Sequence, residues 1–147
     1  MGYGIYIGEA IIETGLEYGD NDLYITVEEV EVEDAPYWDD RVDVSGKTNS
    51  IHPSYTAFSH FLEESNLKDL FMNEEYGLMR NHPGEAVIQN KDYELIREVR
   101  INRQNKYPNN EAGWGEGKDS ILARLMWFEF WFKWALDNCS VPTIRNI

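Results

Sequence analysis

Two segments near the start of the chain repeat apolar residues with a period of two. The first segment, residues 3–12, carries three isoleucines in one phase: Ile5, Ile7 and Ile11. Glu9 interrupts that phase. In the second segment, residues 23–33, acids alternate with Val30 and Val32. Because successive side chains of a strand point to opposite faces, both segments predict strands with one buried face, joined as an antiparallel hairpin.

Much of the remaining chain follows a helical period. A helix is predicted to begin near Pro53, with four apolar residues at helical spacing: Tyr55, Phe58, Phe61 and Leu62. A short helical turn is predicted over 67–73, and longer helices over 90–102, capped by Asn90, and over 118–138. Segments without a clear period are predicted as loops or as a terminal tail: 34–53, 77–88, 107–117 and 141–147.

The composition is typical of a single folded domain. The chain has 147 residues, of which 42% are hydrophobic and 14% aromatic, enough for a sizeable core. The order of the elements predicts an α+β fold over residues 1–147, in which a small antiparallel sheet packs on three to four helices. The final, tryptophan-rich helix is predicted at the centre of this packing.

Arg124 lies within the most apolar part of the predicted final helix. On a wheel with about 100° per residue, four charged residues fall on the side opposite Arg124: Lys118, Glu129, Lys133 and Asp137. Its own side carries mainly aromatic residues and alanine: Trp127, Phe128, Trp131 and Ala135. We therefore predict that Arg124 points into the interior, and that Glu129 and Lys133 form a solvated i,i+4 pair.

A buried guanidinium keeps its proton and needs oxygen acceptors around it. Glu9 is the internal candidate, since it interrupts the isoleucine phase of the first strand, and we predict a structural ion pair between Glu9 and Arg124. In the alternative interpretation, Arg124 lines a pocket and binds an anionic ligand, with Trp127 or Trp131 as a stacking face.

Two further groups of polar residues are candidates for ligand binding. Arg80 and His82 lie in a predicted loop, where binding groups are common, although turn formation also explains the Asn-His-Pro-Gly sequence. Arg100 belongs to the one basic concentration of the chain: Arg97, Arg100, Arg103 and Lys106. This stretch either neutralises neighbouring acids or borders a site for a phosphate-bearing molecule.

The charge and the motifs limit the classes of partner. The formal net charge is −14, which opposes direct binding of nucleic acid or of an anionic membrane. No run of about 18 uncharged apolar residues is present, which argues against an ordinary membrane span. One cysteine, Cys139, and the lack of a secretory signal lead us to expect a cytoplasmic location. No metal or cofactor motif is present, so neither is expected.

Four stretches carry a resemblance to known sequences: YIGEA (6–10), HPSYTAF (52–58), LMRNHPG (78–84) and LARLMWFEFWFKWALDNC (122–139). In this order they resemble a group of small, uncharacterised bacteriophage proteins, and the resemblance covers most of the chain. It implies a phage origin and a location in the host cytoplasm, and it transfers no catalytic residue. Because small phage proteins of this kind often interfere with host defence, it favours binding over metabolism.

The leading hypothesis is a non-enzymatic protein that sequesters an anionic small molecule, such as a nucleotide-derived defence signal of the host. Charge-assisted hydrogen bonds and aromatic stacking would hold such a ligand. The predicted binding residues are Arg124, Arg80, His82, Arg100, Trp114, Trp127 and Tyr55.

Two other functions are consistent with the sequence. The second hypothesis is an inhibitor that binds a host protein through acidic mimicry of nucleic acid, with Tyr37 and Trp38 as anchors. The acids are densest at Glu29, Glu31, Glu33, Asp34, Asp39 and Asp40. The third is a small hydrolase with Glu9 or His82 as its base. It ranks last, because no acid–base pair is recognisable in the sequence.

Overall fold

The computed structural model describes residues 1–14, 23–39 and 47–147. Within these residues the strands are β1 (Ile5–Thr14), β2 (Leu23–Val27), β3 (Ser50–Ile51), β4 (Gly84–Val87), β5 (Glu111–Ala112), β6 (Lys118–Asp119) and β7 (Pro142–Asn146). The helices are α1 (Tyr55–Ser65), α2 (Lys68–Met72), α3 (Asn90–Lys106) and α4 (Ser120–Asn138).

Five of the described strands form one antiparallel sheet. Its order is β2-β1-β7-β4, and the short strand β3 also pairs with β1. In the β1–β2 hairpin, Ala10 lies opposite Val27 and Thr14 opposite Leu23. The predicted hairpin and the α+β class are therefore confirmed. The turn between the two strands lies outside the described residues.

The C-terminal segment is a strand inside the sheet rather than a loose tail. β7 lies between β1 and β4, and Ile144 is opposite Ile7 on one side and Ala86 on the other. Ile144 is fully buried. The predicted tail at 141–147 and the predicted loop at 77–88 are therefore wrong in part, since they contain β7 and β4. Both strands are short and pair only with residues far away in sequence, so no local periodicity marks them.

Helix α4 packs between the sheet and the other helices, as predicted. It contacts β1, β7, α1 and α3. The core around it is largely aromatic: Phe58, Phe61, Phe71, Trp127, Phe128, Trp131 and Phe132 are fully or almost fully buried. Phe61 stacks on Phe128 with 5.6 Å between ring centroids. Such rings bury large apolar areas, so α4 supplies much of the hydrophobic stabilisation. Among the described helices, none is long and apolar enough to cross a membrane.

The helix boundaries follow from local capping. The Ser54 side chain accepts a hydrogen bond from the Ala57 amide at the start of α1, and the Asp119 side chain accepts one from the Leu122 amide at the start of α4. The cap of α3 is Gln89 in a reciprocal capping box with Asp92, one residue before the predicted Asn90.

Asn49 joins two parts of the sheet region through its buried side chain. Its Nδ2 donates to the carbonyl oxygens of Ile7 and Glu28, each at 2.8 Å, and its Oδ1 accepts from the Val30 amide at 3.0 Å. The residue has no exposed surface. It lies in the segment 34–53 that the sequence predicts as irregular, where no periodicity marks it.

We predict that Asn49→Ala lowers the free energy of unfolding by about 3 kcal/mol, because it leaves the buried Ile7 carbonyl, the Glu28 carbonyl and the half-buried Val30 amide without this partner. Urea denaturation followed by tryptophan fluorescence measures the change. Asn105→Ala, at an exposed position of α3, is the matched control and is expected to be neutral or slightly stabilising. Equal unfolding midpoints for the two variants would contradict the proposed role of Asn49.

Candidate functional site

Arg124 is buried, as the helical wheel predicts. Only 7% of its surface is exposed. Its guanidinium carbon lies 4.4 Å from the centroid of the Trp114 ring and 5.0 Å from that of Trp38, within the range of cation–π interactions. Its Nη1 donates to the Ala57 carbonyl at 3.2 Å. We refer to Arg124, Trp38 and Trp114 as the Arg124 cage.

The two tryptophans of the Arg124 cage are joined to each other. Trp114 Nε1 donates to the Trp38 carbonyl at 2.6 Å. Trp114 lies in a loop whose Gly113, Gly115 and Gly117 all have positive φ angles, a conformation that favours glycine. The glycine-rich sequence therefore lets this loop fold back over α4. Trp38 is only 6% exposed, so it is part of the core and not the exposed anchor expected from the sequence.

The predicted ion pair between Glu9 and Arg124 is wrong. The Glu9 carboxylate accepts hydrogen bonds from the amides of Ser140, at 3.0 Å, and Val141, at 2.7 Å. These amides follow the C-terminus of α4, whereas Arg124 lies near its N-terminus. The hydrogen bonds from Val141 and then Ser140 lower the pKa of Glu9. Glu9 interrupts the isoleucine phase because it fixes the entry into β7.

Trp127 lies inside the core rather than beside a pocket. It is 1% exposed, and its ring contacts Trp38 edge to face at 5.7 Å. Trp131 is fully buried. Since both indoles are enclosed by protein, neither offers a free face for stacking on a ligand.

The basic stretch of α3 neutralises acids of α4 and of its cap. Arg100 donates to both carboxylate oxygens of Glu129, at 2.6 and 2.7 Å, and Arg103 binds Asp119 at 2.9 Å. Lys133 pairs with Asp137 at 2.8 Å. The predicted Glu129–Lys133 pair is therefore wrong, because Arg100 from the neighbouring helix provides bidentate geometry that an i,i+4 lysine cannot. Arg100 therefore neutralises a neighbouring acid, which was the first of the two interpretations of this basic stretch.

Arg80 lies apart from the other candidate cations. It is exposed, and its Nη1 donates to the Gly77 carbonyl at 3.0 Å. It lines an open depression of about 970 Å³. The charged residues of that depression are Asp69, Glu75, Arg80, Glu85, Lys91 and Asp92. With four carboxylates against two cations, this depression does not favour an anion.

His82 contacts Tyr55, so the structure brings these two predicted residues together. The Tyr55 hydroxyl is 3.2 Å from His82 Nε2, and His82 Nδ1 is 2.5 Å from Oδ1 of the buried Asn146. Asn146 was missed in the sequence because it lies in the predicted tail. Among the seven predicted binding residues, Arg124 contacts Trp114 and Tyr55 contacts His82. The set does not converge on one site.

A groove of about 510 Å³ lies between α3, α4 and the segment around Pro36. The apolar residues of this α3–α4 groove are Pro36, Tyr93, Met126, Phe130 and Trp134. Its charged residues are Asp34, Glu129, Lys133 and Asp137. On the helical wheel Met126, Phe130 and Trp134 fall at about 200°, 240° and 280° from Arg124, among the charges predicted to be solvated. This interleaving is the sequence signal that could have revealed the groove.

Burial along the acidic segment that leads into the groove alternates as predicted, but β2 ends at Val27, so the strand predicted over 23–33 is too long. Glu29, Glu31 and Glu33 are exposed, while Val30 and Val32 are half-buried. Asp34 is exposed at the groove, but Asp39 is buried. Asp40 lies outside the described residues.

Two kinds of reactive centre find no support in the described part of the chain. No group of three or more His, Cys, Asp or Glu side chains there is arranged to hold a metal ion. Burial, with further contributions from Glu9 and Glu28, raises the pKa of the Cys139 thiol to about 11. This thiol therefore stays protonated at neutral pH and is a poor nucleophile.

We predict that Arg124→Lys lowers the free energy of unfolding by about 1–3 kcal/mol, because an ammonium cannot present a planar face to two indoles. Urea denaturation provides the measurement. Arg97→Lys, at an exposed position of α3, is the control and should leave stability unchanged. Indistinguishable midpoints for the two variants would show that the Arg124 cage contributes little.

The lowered pKa of Glu9 predicts a specific pH dependence. Because the folded-state pKa lies below that of an unfolded glutamate, the contribution of Glu9 is present above the unfolded value and is lost as pH falls through the folded value. Glu9→Gln should remove this part of the acid-induced loss of stability, whereas Glu64→Gln, at an exposed position of α1, should not. Unfolding curves over a series of acidic pH values test this. Parallel profiles for both variants would refute it.

Comparison of the chain with protein family models, with curated proteins and with solved structures finds no significant match. The resemblance to phage proteins, and the host location that it implies, therefore stay predictions.

Proposed function

We propose that the protein is an interaction module whose α3–α4 groove binds a basic, amphipathic segment of a partner protein. The observation that carries this proposal is the combination of an apolar floor with a predominantly acidic rim. This corresponds to the second hypothesis from the sequence, a protein-binding inhibitor, and moves its recognition surface from Trp38 to α4.

The apolar floor supplies area that a partner can bury. Met126 is 37% exposed, and Phe130 and Trp134 are half-buried along one side of α4. They lie one helical turn apart, so they form a continuous strip. Apolar strips with polar edges are typical of docking surfaces, and a helix that lies in a groove presents apolar residues at matching intervals.

The charged rim of the groove determines which sign of charge a partner should carry. Three carboxylates and one ammonium line the groove. Lys133 is paired with Asp137 and Glu129 with Arg100, so these charges largely cancel, and the negative sign of the rim comes from Asp34 and the acidic segment before it. Asp34 extends the rim into the acidic segment, and the whole chain carries a net charge of −14. This field accelerates the approach of a basic partner and repels an acidic one.

Capture of an anionic small molecule remains a prediction from the sequence. Arg124 is enclosed by its cage, Arg100 is neutralised by Glu129, and Arg80 lies in a depression with excess acid. The described residues thus support a basic protein partner better than an anionic ligand.

Isothermal titration with synthetic helical peptides tests the proposal. A helical peptide with leucines on one face and lysines on the other should bind, and its affinity should fall as the salt concentration rises. A peptide with glutamate in place of lysine should not bind. Met126→Lys should weaken binding at least about tenfold, which corresponds to ~1.4 kcal/mol, because it places a cation on the groove floor.

Leu95→Lys is the matched control. Leu95 is 41% exposed on α3 and lines the separate depression around Arg80, and its replacement changes the net charge by the same amount. It should leave the affinity nearly unchanged. If both lysine variants weaken binding equally, the attraction is diffuse and the groove is not the docking site. No binding of the basic peptide would also overturn the proposal.

A further inference from the structure

His82 is held in one tautomer by Asn146. The Nδ2 of Asn146 donates to the carbonyls of Asn81, at 2.9 Å, and Gly84, at 3.4 Å. This fixes the amide so that Oδ1 faces His82 and acts as the acceptor, which requires the hydrogen of a neutral imidazole to be on Nδ1. The lone pair of the imidazole is therefore on Nε2.

The Nε2 lone pair is aimed at the Tyr55 hydroxyl. The two atoms are 3.2 Å apart, so Tyr55 donates its proton toward His82. Tyr3 packs edge-on against both rings, with centroid distances of 4.7 Å to Tyr55 and 4.8 Å to His82. Three mutually packed rings restrict the rotation of each one, and this holds the hydrogen bond in place.

This arrangement has the order of a nucleophile, a base and an orienting group. A hydroxyl within hydrogen-bond reach of an imidazole, which is itself oriented by a third polar group, is the geometry of activated nucleophiles, and an asparagine can be that third group. A phenol gives up its proton far more readily than an aliphatic alcohol. Tyr55 is 39% exposed, so an electrophile can reach its oxygen.

We propose that Tyr55 is a nucleophile, activated by His82 and oriented through Asn146, that accepts a short acyl group from an activated ester. A cavity of about 180 Å³ adjoins its ring. The cavity is lined by Tyr3, Tyr55, Phe58, Ser59, Leu62, Lys68 and Met72. Its volume and mainly apolar lining fit a short aliphatic chain, and Lys68 is the cationic side chain of this lining.

The chemical step balances without a cofactor. Tyr55 Oη attacks the ester carbonyl, and its proton passes to His82 Nε2. The leaving group of an activated ester is a weaker base than the tyrosine phenolate, so when the tetrahedral intermediate collapses the bond to the leaving-group oxygen breaks, and the departing oxygen takes that proton. The products are an acylated Tyr55 and a free alcohol, and His82 returns to its neutral form.

Acylation by p-nitrophenyl butyrate tests this proposal, with the modified residues located by peptide mass spectrometry. Tyr76 is an internal control, since it is 59% exposed and its hydroxyl donates to Asp69 rather than to a base of the imidazole type. Tyr55 should be acylated at least about tenfold faster than Tyr76 in the native protein. Tyr55→Phe should abolish the adduct at this position.

His82→Gln separates a base from a purely structural contact. Glutamine can hydrogen-bond to Tyr55 but cannot accept its proton, so acylation of Tyr55 should fall by about 100-fold while that of Tyr76 is unchanged. Circular dichroism and the thermal unfolding midpoint establish that the variant is folded. A folded His82→Gln protein that acylates Tyr55 at the native rate would overturn the proposal. If the variant does not fold, the native protein alone tests the proposal, through the ratio of the acylation rates of Tyr55 and Tyr76. A ratio near one refutes the proposal.

Discussion

The burial of one permanently charged guanidinium constrains much of this structure. Arg124 cannot lose its proton inside the protein, so the surrounding chain must stabilise a cation. The indole faces of Trp38 and Trp114 and the Ala57 carbonyl contribute to this, and they come from three different segments. Each of these segments must therefore reach α4 at the same place. This single side chain thus holds three parts of the chain together: the glycine-rich loop, the segment before residue 39 and α1.

The opposite side of α4 has a different balance of forces. Arg100 crosses from α3 to neutralise Glu129, and Lys133 is neutralised within the helix. Charges that are already paired leave the apolar side chains between them as the surface with most to gain from burial. Met126 and Phe130 are therefore better candidates for contact with a partner than the cations Arg80, Arg100 and Arg124. Under the proposed function, a basic partner would meet an acidic rim at long range and an apolar floor at contact, which are two separable contributions to affinity.

Local patterns predicted the elements that depend on local interactions. Alternation in the first strands and the 3.6-residue period of the helices predicted the hairpin and the inward side of α4. The contacts of Glu9 and the position of β7 could not be predicted, because they depend on which distant segments meet. Glu9 pairs with amides more than 130 residues away in sequence, as the 132-residue separation from Val141 shows. The helical wheel gives the direction in which Arg124 points, so its burial was predicted correctly. The wheel holds no information about the surface that Arg124 meets, so the predicted partner, Glu9, was wrong.

The ties that hold the sheet together are largely uncharged. Asn49 joins β1 to the segment at Glu28 and Val30, and Asn146 joins β7 to the loop that carries His82. Hydrogen bonds between neutral amides in a buried setting are little affected by salt, whereas attraction between an exposed acidic rim and a basic partner is screened within about 8 Å at physiological ionic strength. These two amide ties therefore hold at any ionic strength, although the chain carries a net charge of −14. Ionic strength should consequently weaken partner binding at concentrations that leave the fold intact, which separates recognition from stability in one titration.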